Sequence, residues 1–182
     1  MPTTKTITLY TFDELSESVQ NKVVDKMYEI NVDYNWWEYV YEDAERIGLE
    51  ITEFDTYRHT INGKLKEHLI DSINQVMSEH GESTDTYSLA KKYLNDYKET
   101  YKKWLTQQDK EGWEHWSEDD WYAEFKYSDE ADDMAQDYRK DMLETYLVIL
   151  DKEYEYLTSK ESIVETIHIN EYTFTEDGTL YS

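Results

Sequence analysis

The stretch that decides the fold is residues 129–157, which read DEADDMAQDYRKDMLETYLVILDKEYEYL. No glycine or proline interrupts it, and its large apolar side chains recur at steps of three or four residues. These side chains are Met134, Tyr138, Met142, Tyr146, Leu150, Tyr154 and Leu157. Because one face of an α-helix repeats with this period, the stretch predicts a single long amphipathic helix.

Similar periodicity predicts helices on both sides of this one. The predicted helices cover residues 16–29 with Ser16 as N-cap, 35–47 closed by Gly48, 65–77 ending by Gly81, and 85–107. Residues 109–127 are expected to be irregular or short-helical. A further short helix, holding Ile163 and Ile167, is expected to start after Thr158 or Ser159.

Short alternating segments predict a small amount of β-structure. Residues 4–10 and 49–54 alternate apolar with polar positions, Asn62-Gly63 predicts a turn, and residues 172–181 predict a closing hairpin. We expect the N-terminal, middle and C-terminal strands to form one small antiparallel sheet. The predicted fold is therefore α+β and predominantly helical, as a single acidic domain over residues 1–182.

The composition is hydrophilic on average but rich in aromatic residues. Mean hydropathy is −0.93, yet the chain has 18 Tyr, 6 Trp and 4 Phe. Tyr and Trp bury large rings while keeping a polar tip, so this composition favours a packed core over disorder. There is no cysteine, which excludes disulfides and thiolate metal sites. Without an apolar signal region or membrane-length segment, we expect a cytoplasmic protein with no membrane partner.

Net charge points to the class of partner. The chain carries 42 Asp and Glu against 18 Lys and Arg, a formal charge of −24. The excess is concentrated at the ends: residues 1–55 carry 13 acids and 4 bases, residues 56–110 carry 8 and 9, and residues 111–182 carry 21 and 5. Such a field repels nucleic acid and attracts basic surfaces, so we expect a basic protein partner and no direct binding of duplex DNA. The lysine-bearing segment 91–103 is the one candidate exception.

The densest acidic segment, residues 111–133, is the first candidate site. Its ten carboxylates face a single Lys126 and are interleaved with large aromatic residues. Carboxylates can stand where phosphates would sit, and aromatic side chains anchor many interfaces. The residues predicted to bind a partner here are Glu111, Trp113, Glu114, Trp116, Glu118, Asp119, Asp120, Trp121 and Glu124. The alternative interpretation is a solvated loop whose Trp side chains belong to the core.

A second candidate site lies on the predicted helix 35–47. Glu38, Glu42 and Glu45 share one face of that helix by their spacing. Like charges at this spacing are mildly destabilising, so a functional reason for keeping them is a fair hypothesis. The alternative is an ordinary solvated helix face.

Catalytic and metal-binding patterns are weak. Glu165 and His168 have the spacing found in di-iron helices, but such a site needs two of these motifs and further Glu residues. No phosphate-binding glycine loop or nucleophile-elbow motif occurs. We therefore expect a protein that is not an enzyme and that uses no cofactor and no metal.

Several strings resemble a known family. They are residues 10–20 (YTFDELSESVQ), 31–44 (NVDYNWWEYVYEDA), 47–51 (IGLEI), 80–90 with His80-Gly81-Glu82, and 152–178 with its NEYTFTEDG end. These strings are similar to those of a family of small phage and prophage proteins, often described as antitoxins of toxin–antitoxin stability systems. The resemblance implies a product of a mobile genetic element, and no catalytic residues come with it.

Taken with the charge, this resemblance leads to a functional hypothesis. In size and acidity the chain is similar to some inhibitors of type II CRISPR nucleases. We expect a phage-encoded anti-defence protein that binds a host nuclease, with Cas9 and its guide RNA as the favoured candidate. It would exclude target DNA by occupying the cationic groove. The alternative is an antitoxin-like regulatory module that neutralises a basic toxin.

Overall fold

The computed structural model describes residues 6–108 and 115–181. Helices make up 61% of the structure, which confirms the predicted, predominantly helical α+β class. In chain order the described elements are β1 (Tyr10–Thr11), a 3-10 turn (Phe12–Glu14), α1 (Glu17–Lys26), α2 (Glu38–Arg46), β2 (Leu49–Asp55), β3 (Thr60–Leu65), α3 (Leu69–Glu79), α4 (Asp85–Gln107), α5 (Glu118–Phe125), α6 (Asp129–Leu157), α7 (Lys160–Ile169) and β4 (Thr173–Phe174).

The described residues group into two compact units. The first contains residues 6–36 and 151–181, and the second contains Trp37–Leu150. Helix α6 contributes residues to both. The single domain predicted over residues 1–182 stays a prediction.

The strands form two separate antiparallel pairs within the described residues. β1 pairs with β4 in the first unit, with Tyr10 opposite Phe174. β2 pairs with β3 in the second unit, starting with Leu49 opposite Leu65. This corrects the expected single sheet: the middle strand takes the strand that follows it in the chain as its partner, because a hairpin closes the shortest loop.

Helix α6 has the apolar seam that its spacing predicts. Tyr138, Met142, Tyr146 and Leu150 are each at most 1% exposed. All four lie in the second unit, whose core also contains buried side chains from α2, β2, α3 and α4. One side chain from each of four consecutive turns is thus buried along a single stripe, and this stripe forms the centre of the core of the second unit.

The β2–β3 hairpin turns at a different place from the one predicted. Residues 56–59 form the turn, and His59 has a positive φ of 52°. Asn62 and Gly63 lie inside β3 instead, at a register shift opposite Ile51 and Glu53. A Cβ on Gly63 would lie 2.5 Å from the Glu50 carbonyl oxygen. The glycine is therefore needed for close approach of backbones rather than for a turn.

The first unit packs α1, α7 and the β1–β4 pair around a small apolar core. Its buried members are Phe12, Leu15, Val23, Ile163, Ile167 and Phe174. The buried Asn31 side chain donates to the Leu157 carbonyl oxygen (3.1 Å) and to Ser162 Oγ (3.0 Å). It also accepts from Thr166 Oγ1 (2.7 Å). Such a fully used amide fixes how the end of α6 meets α7.

Other predicted elements differ mainly at their boundaries. The strand expected at residues 4–10 is reduced to Tyr10–Thr11, and Ile7 and Leu9 are exposed. Residues 4 and 5 lie outside the described residues. The helix expected at 65–77 begins at Leu69, because Leu65 is paired in β3. The helix expected at 35–47 begins at Glu38, and the helix expected at 16–29 ends at Lys26.

Candidate protein-binding surface

Helix α5 carries the acidic residues of the first candidate site that the structure describes. A reciprocal capping box fixes its start: Ser117 Oγ accepts from the Asp120 amide (3.2 Å), and the Asp120 carboxylate accepts from the Ser117 amide (2.8 Å). Acidic residues in a first turn also interact favourably with the helix dipole. The serine and acid pattern of the sequence therefore marks the residue at which this short helix begins.

The inner face of α5 rests on aromatic rings of α4. Phe125 is completely buried, and its ring centroid lies 4.9 Å from that of Tyr97 and 5.4 Å from that of Trp104. The Trp121 ring lies 6.2 Å from Trp104. We call this group the aromatic platform: Tyr97, Tyr101, Trp104, Trp121, Tyr122 and Phe125. Edge-to-face packing at these distances holds α5 in one orientation.

The outer face of α5 presents carboxylates to solvent. We call Glu118, Asp119 and Glu124 the α5 face, and all three residues are exposed. Among the described residues, none of the three carboxylates has a basic group within 4 Å. Lys126, the one lysine of the segment, is bound to Asp71 of α3 at 2.6 Å. The negative charge of the α5 face is therefore not neutralised locally.

Two pKa shifts reflect this arrangement. Burial raises the pKa of the Tyr101 hydroxyl, and the nearby charges of Glu118 and Asp119 add to the effect. Hydrogen bonds from the Ser117 side chain and amide lower the pKa of Asp120. Asp120 is thus a helix-capping residue. Although it is exposed, its carboxylate is already hydrogen-bonded to Ser117, so it is not counted among the carboxylates offered to a partner.

Unlike the exposed carboxylates of the α5 face, the two described aromatic residues predicted for this site pack against other rings. Trp116 and Trp121 are half-buried, with ring centroids 4.8 Å apart, at the edge of the aromatic platform. These contacts show that the two Trp side chains help to pack α5. Their predicted role in binding a partner stays a prediction. The other three predicted residues, Glu111, Trp113 and Glu114, lie outside the described residues.

The second candidate site lies on α2 of the same unit. Glu38, Glu42 and Glu45, the α2 face, are all exposed. Glu45 is engaged, because Lys66 Nζ lies 2.8 Å from its carboxylate and also contacts Glu50. The α2 face therefore offers two carboxylates, Glu38 and Glu42, that have no basic group within 4 Å among the described residues.

Asp43 of α2 is a polar anchor, a role that the acidic pattern of the helix did not predict. Its carboxylate accepts from the Tyr146 hydroxyl at 2.9 Å, pairs with Arg46, and lies 3.5 Å from His80 Nε2. Burial raises the pKa of Tyr146, and the Asp43 charge adds to the effect. The spacing of Asp43 and Arg46 on one helix was the available signal. The contact with Tyr146, 103 residues away, has no local signal.

The residues that the structure describes contain no cluster of three or more His, Asp or Glu side chains suited to a metal ion. None of their helices combines the length and apolar character needed to cross a membrane. The scan of protein-family models, the search of curated proteins and the search of solved structures each found no match to this chain.

Proposed function

We propose that this protein is an acidic binder that occupies a cationic, nucleic-acid-binding groove of another protein through the α5 face. The observation that carries the proposal is the α5 face itself: exposed carboxylates without local basic partners, mounted on the aromatic platform. The proposed setting is phage anti-defence, in the cytoplasm of a bacterial host. The proposed target is a host nuclease, with Cas9 bound to its guide RNA as the leading candidate.

The physical basis is charge complementarity on a rigid support. A groove that normally holds nucleic acid is lined with Arg and Lys, and it attracts carboxylates over a Debye length of about 8–10 Å at physiological salt. Because α5 is already fixed by packing, little conformational freedom is lost when its carboxylates meet the groove. A bound acidic helix would then exclude target DNA by occupying the same surface.

The direct test is a triple charge reversal, Glu118→Lys with Asp119→Lys and Glu124→Lys. Asp120 is left intact, because it caps the helix. Reversed charges facing an Arg-lined groove should weaken binding by at least about a hundredfold, since like charges across an interface cost several kcal/mol. Binding to the Cas9–guide complex and inhibition of DNA cleavage are measured together, and circular dichroism confirms folding.

Two control variants distinguish an effect of the α5 face from an effect of net charge. Asp25→Lys with Glu155→Lys and Glu165→Lys reverses three exposed acids of the first unit and changes the net charge equally. It should weaken binding far less. Glu38→Lys with Glu42→Lys tests the α2 face. Full inhibition by a folded α5 variant would refute the proposal, as would equal losses in the α5 variant and the first-unit control.

Salt and nucleic acid provide further checks. Raising NaCl from about 0.1 to 0.5 M should weaken partner binding at least tenfold, because screening shortens the attraction. The protein alone should not shift duplex DNA at about 0.15 M salt, since its charge repels phosphates. Affinity that is independent of salt would point to an apolar interface. Capture of a small basic toxin from host lysate in place of the nuclease would support the antitoxin-like alternative.

A further inference from the structure

Arg139 stands apart from the other two arginines of the chain. Arg46 pairs with Asp43, and Arg58 pairs with Asp55, each with an acid three residues earlier. The positions three and four residues before and after Arg139 hold Ala135, Gln136, Met142 and Leu143. Within the described residues no carboxylate lies within 4 Å of its guanidinium. In a chain with 42 acids, an unpaired arginine is a local exception that needs a physical explanation.

The Arg139 side chain is also under-used as a hydrogen-bond donor. Its Nη1 makes one long bond, 3.4 Å, to the Gly63 carbonyl oxygen. Its Nε is buried without an acceptor among the described residues. A guanidinium has five N–H donors arranged as a planar fork, and buried donors are nearly always satisfied. The guanidinium therefore has N–H donors that no acceptor among the described residues uses.

Arg139 lines a cleft between β3 and α6. The cleft has a volume of about 450 Å³, and its walls include Ile61, Leu143, Lys140 and Glu144. Ligand-binding clefts commonly measure about 300–1,000 Å³ and combine apolar walls with a few polar groups. Lys140 makes no ion pair within the described residues. Arg139 and Lys140 therefore bring two positive charges to the cleft against the single acid Glu144, and the imidazole of His59 also belongs to the lining.

Gly63 shapes the base of this cleft. A Cβ at this position would lie 2.8 Å from Leu143 Cδ2, so β3 lies close against the side chains of α6 here. The same close approach brings the Gly63 carbonyl oxygen to Arg139. The basic group is therefore held by the helix that forms the core seam of the second unit, which favours a pre-formed site over a mobile surface arginine.

We propose that this cleft binds a small monoanionic ligand, a carboxylate attached to a compact apolar group. The guanidinium of Arg139 takes the carboxylate in its planar fork. Lys140 adds attraction, and Ile61 and Leu143 contact the apolar part. Glu144 disfavours ligands with two negative charges, such as inorganic phosphate. This site is independent of the α5 face and would hold whether or not the protein inhibits a nuclease.

Benzoate is the test probe, because it joins one carboxylate to one compact ring. Titration of the full-length protein, followed by the nitrogen-15 NMR signals of Arg139 Nε–H and the Gly63 amide, should give saturable shifts with Kd at or below about 5 mM. Benzamide, the neutral analogue, and inorganic phosphate should bind at least tenfold more weakly. Arg139→Gln should abolish saturation, whereas Arg58→Gln, which removes a surface arginine, should leave Kd unchanged.

A second variant keeps the test decisive if the first one does not fold. If Arg139→Gln does not fold, Lys140→Gln replaces it and should weaken benzoate binding about threefold, through loss of one exposed charge near the ligand. Absence of saturable shifts up to about 20 mM benzoate would overturn the proposal. So would equal binding of benzoate and benzamide, or binding that is unaffected by removing the basic side chain.

Discussion

Helices α5 and α2 carry similar acidic patterns, and the fold uses them in different ways. On α2, Asp43 and Glu45 are engaged by Arg46, Tyr146 and Lys66. On α5 only the capping residue Asp120 is engaged, and the remaining carboxylates face solvent. The α5 helix is held from below by aromatic rings, whereas α2 is held partly through its own charges. Equal charge density therefore does not imply equal availability to a partner.

The largest expected effect concerns the aromatic support of α5. Phe125→Ala should lower the free energy of unfolding by about 3–5 kcal/mol, because a fully buried ring is replaced by a cavity. The neighbouring substitution Glu124→Gln on the α5 face should change it by less than about 0.5 kcal/mol. Urea denaturation followed by circular dichroism measures both. If Phe125→Ala cost no more than Glu124→Gln, packing would not be what holds α5.

The corresponding change on α2 is expected to be smaller. Asp43→Ala should cost about 1–3 kcal/mol, because the buried Tyr146 hydroxyl loses its acceptor. Adding Tyr146→Phe should recover part of that loss, since no unpaired hydroxyl then remains. Glu42→Ala, an exposed neighbour, is the matched control. Strictly additive losses in the Asp43 and Tyr146 double-mutant cycle would argue against the anchoring role.

The cap of α5 comes next in size. Ser117→Ala should lower the free energy of unfolding by about 1 kcal/mol, the usual cost of removing an N-cap oxygen. Ser16, the N-cap of α1, has no side-chain capping bond, so Ser16→Ala should cost less. The same denaturation experiment compares the two serines. Equal losses would show that the capping box at α5 adds nothing.

The smallest effect is a pH dependence of the same cap. The pKa of Asp120 is lowered in the folded protein, so its contribution is present above the unfolded pKa of about 3.9 and is lost as pH falls through the lower folded value. The stability difference between wild type and Asp120→Asn should therefore shrink as the pH falls below about 4. Asp119→Asn, which removes an acid that makes no capping bond, is the control. A difference that grows on acidification would reverse the assigned sign.

Sequence reasoning recovered the features whose cause is local. Helix α6 and helix α4 were predicted with the observed bounds, because apolar spacing over many turns needs no knowledge of the partner surface. Ser159 caps α7 through its side chain, and Gly48 ends α2 with a positive φ of 75°. Caps and periodic faces are properties of a few adjacent residues, which is why the sequence contains them in readable form.

For the candidate sites the sequence indicated the charge but not its availability. It identified the acidic segments of α5 and α2 correctly as dense in carboxylates. It could not indicate that Asp120 and Glu45 are engaged by other residues. Nor could it indicate that Trp121 packs on the ring of Trp104. Local density of charge is a property of composition, whereas neutralisation depends on which side chains the fold brings near.

The sequence by itself thus determined the acidic character, the helix-rich class and the helices with strong periodicity. Tertiary structure alone decided that Asn62 and Gly63 lie in a strand, that β1 extends only as far as β4 can pair with it, and that Asp43 meets Tyr146. Pairing between strands and contacts between distant helices depend on loop closure and on the packing of surfaces far apart in the chain. The same holds for Arg139, whose lack of an acidic partner became meaningful only when the β2–β3 hairpin was seen to form a cleft beside it.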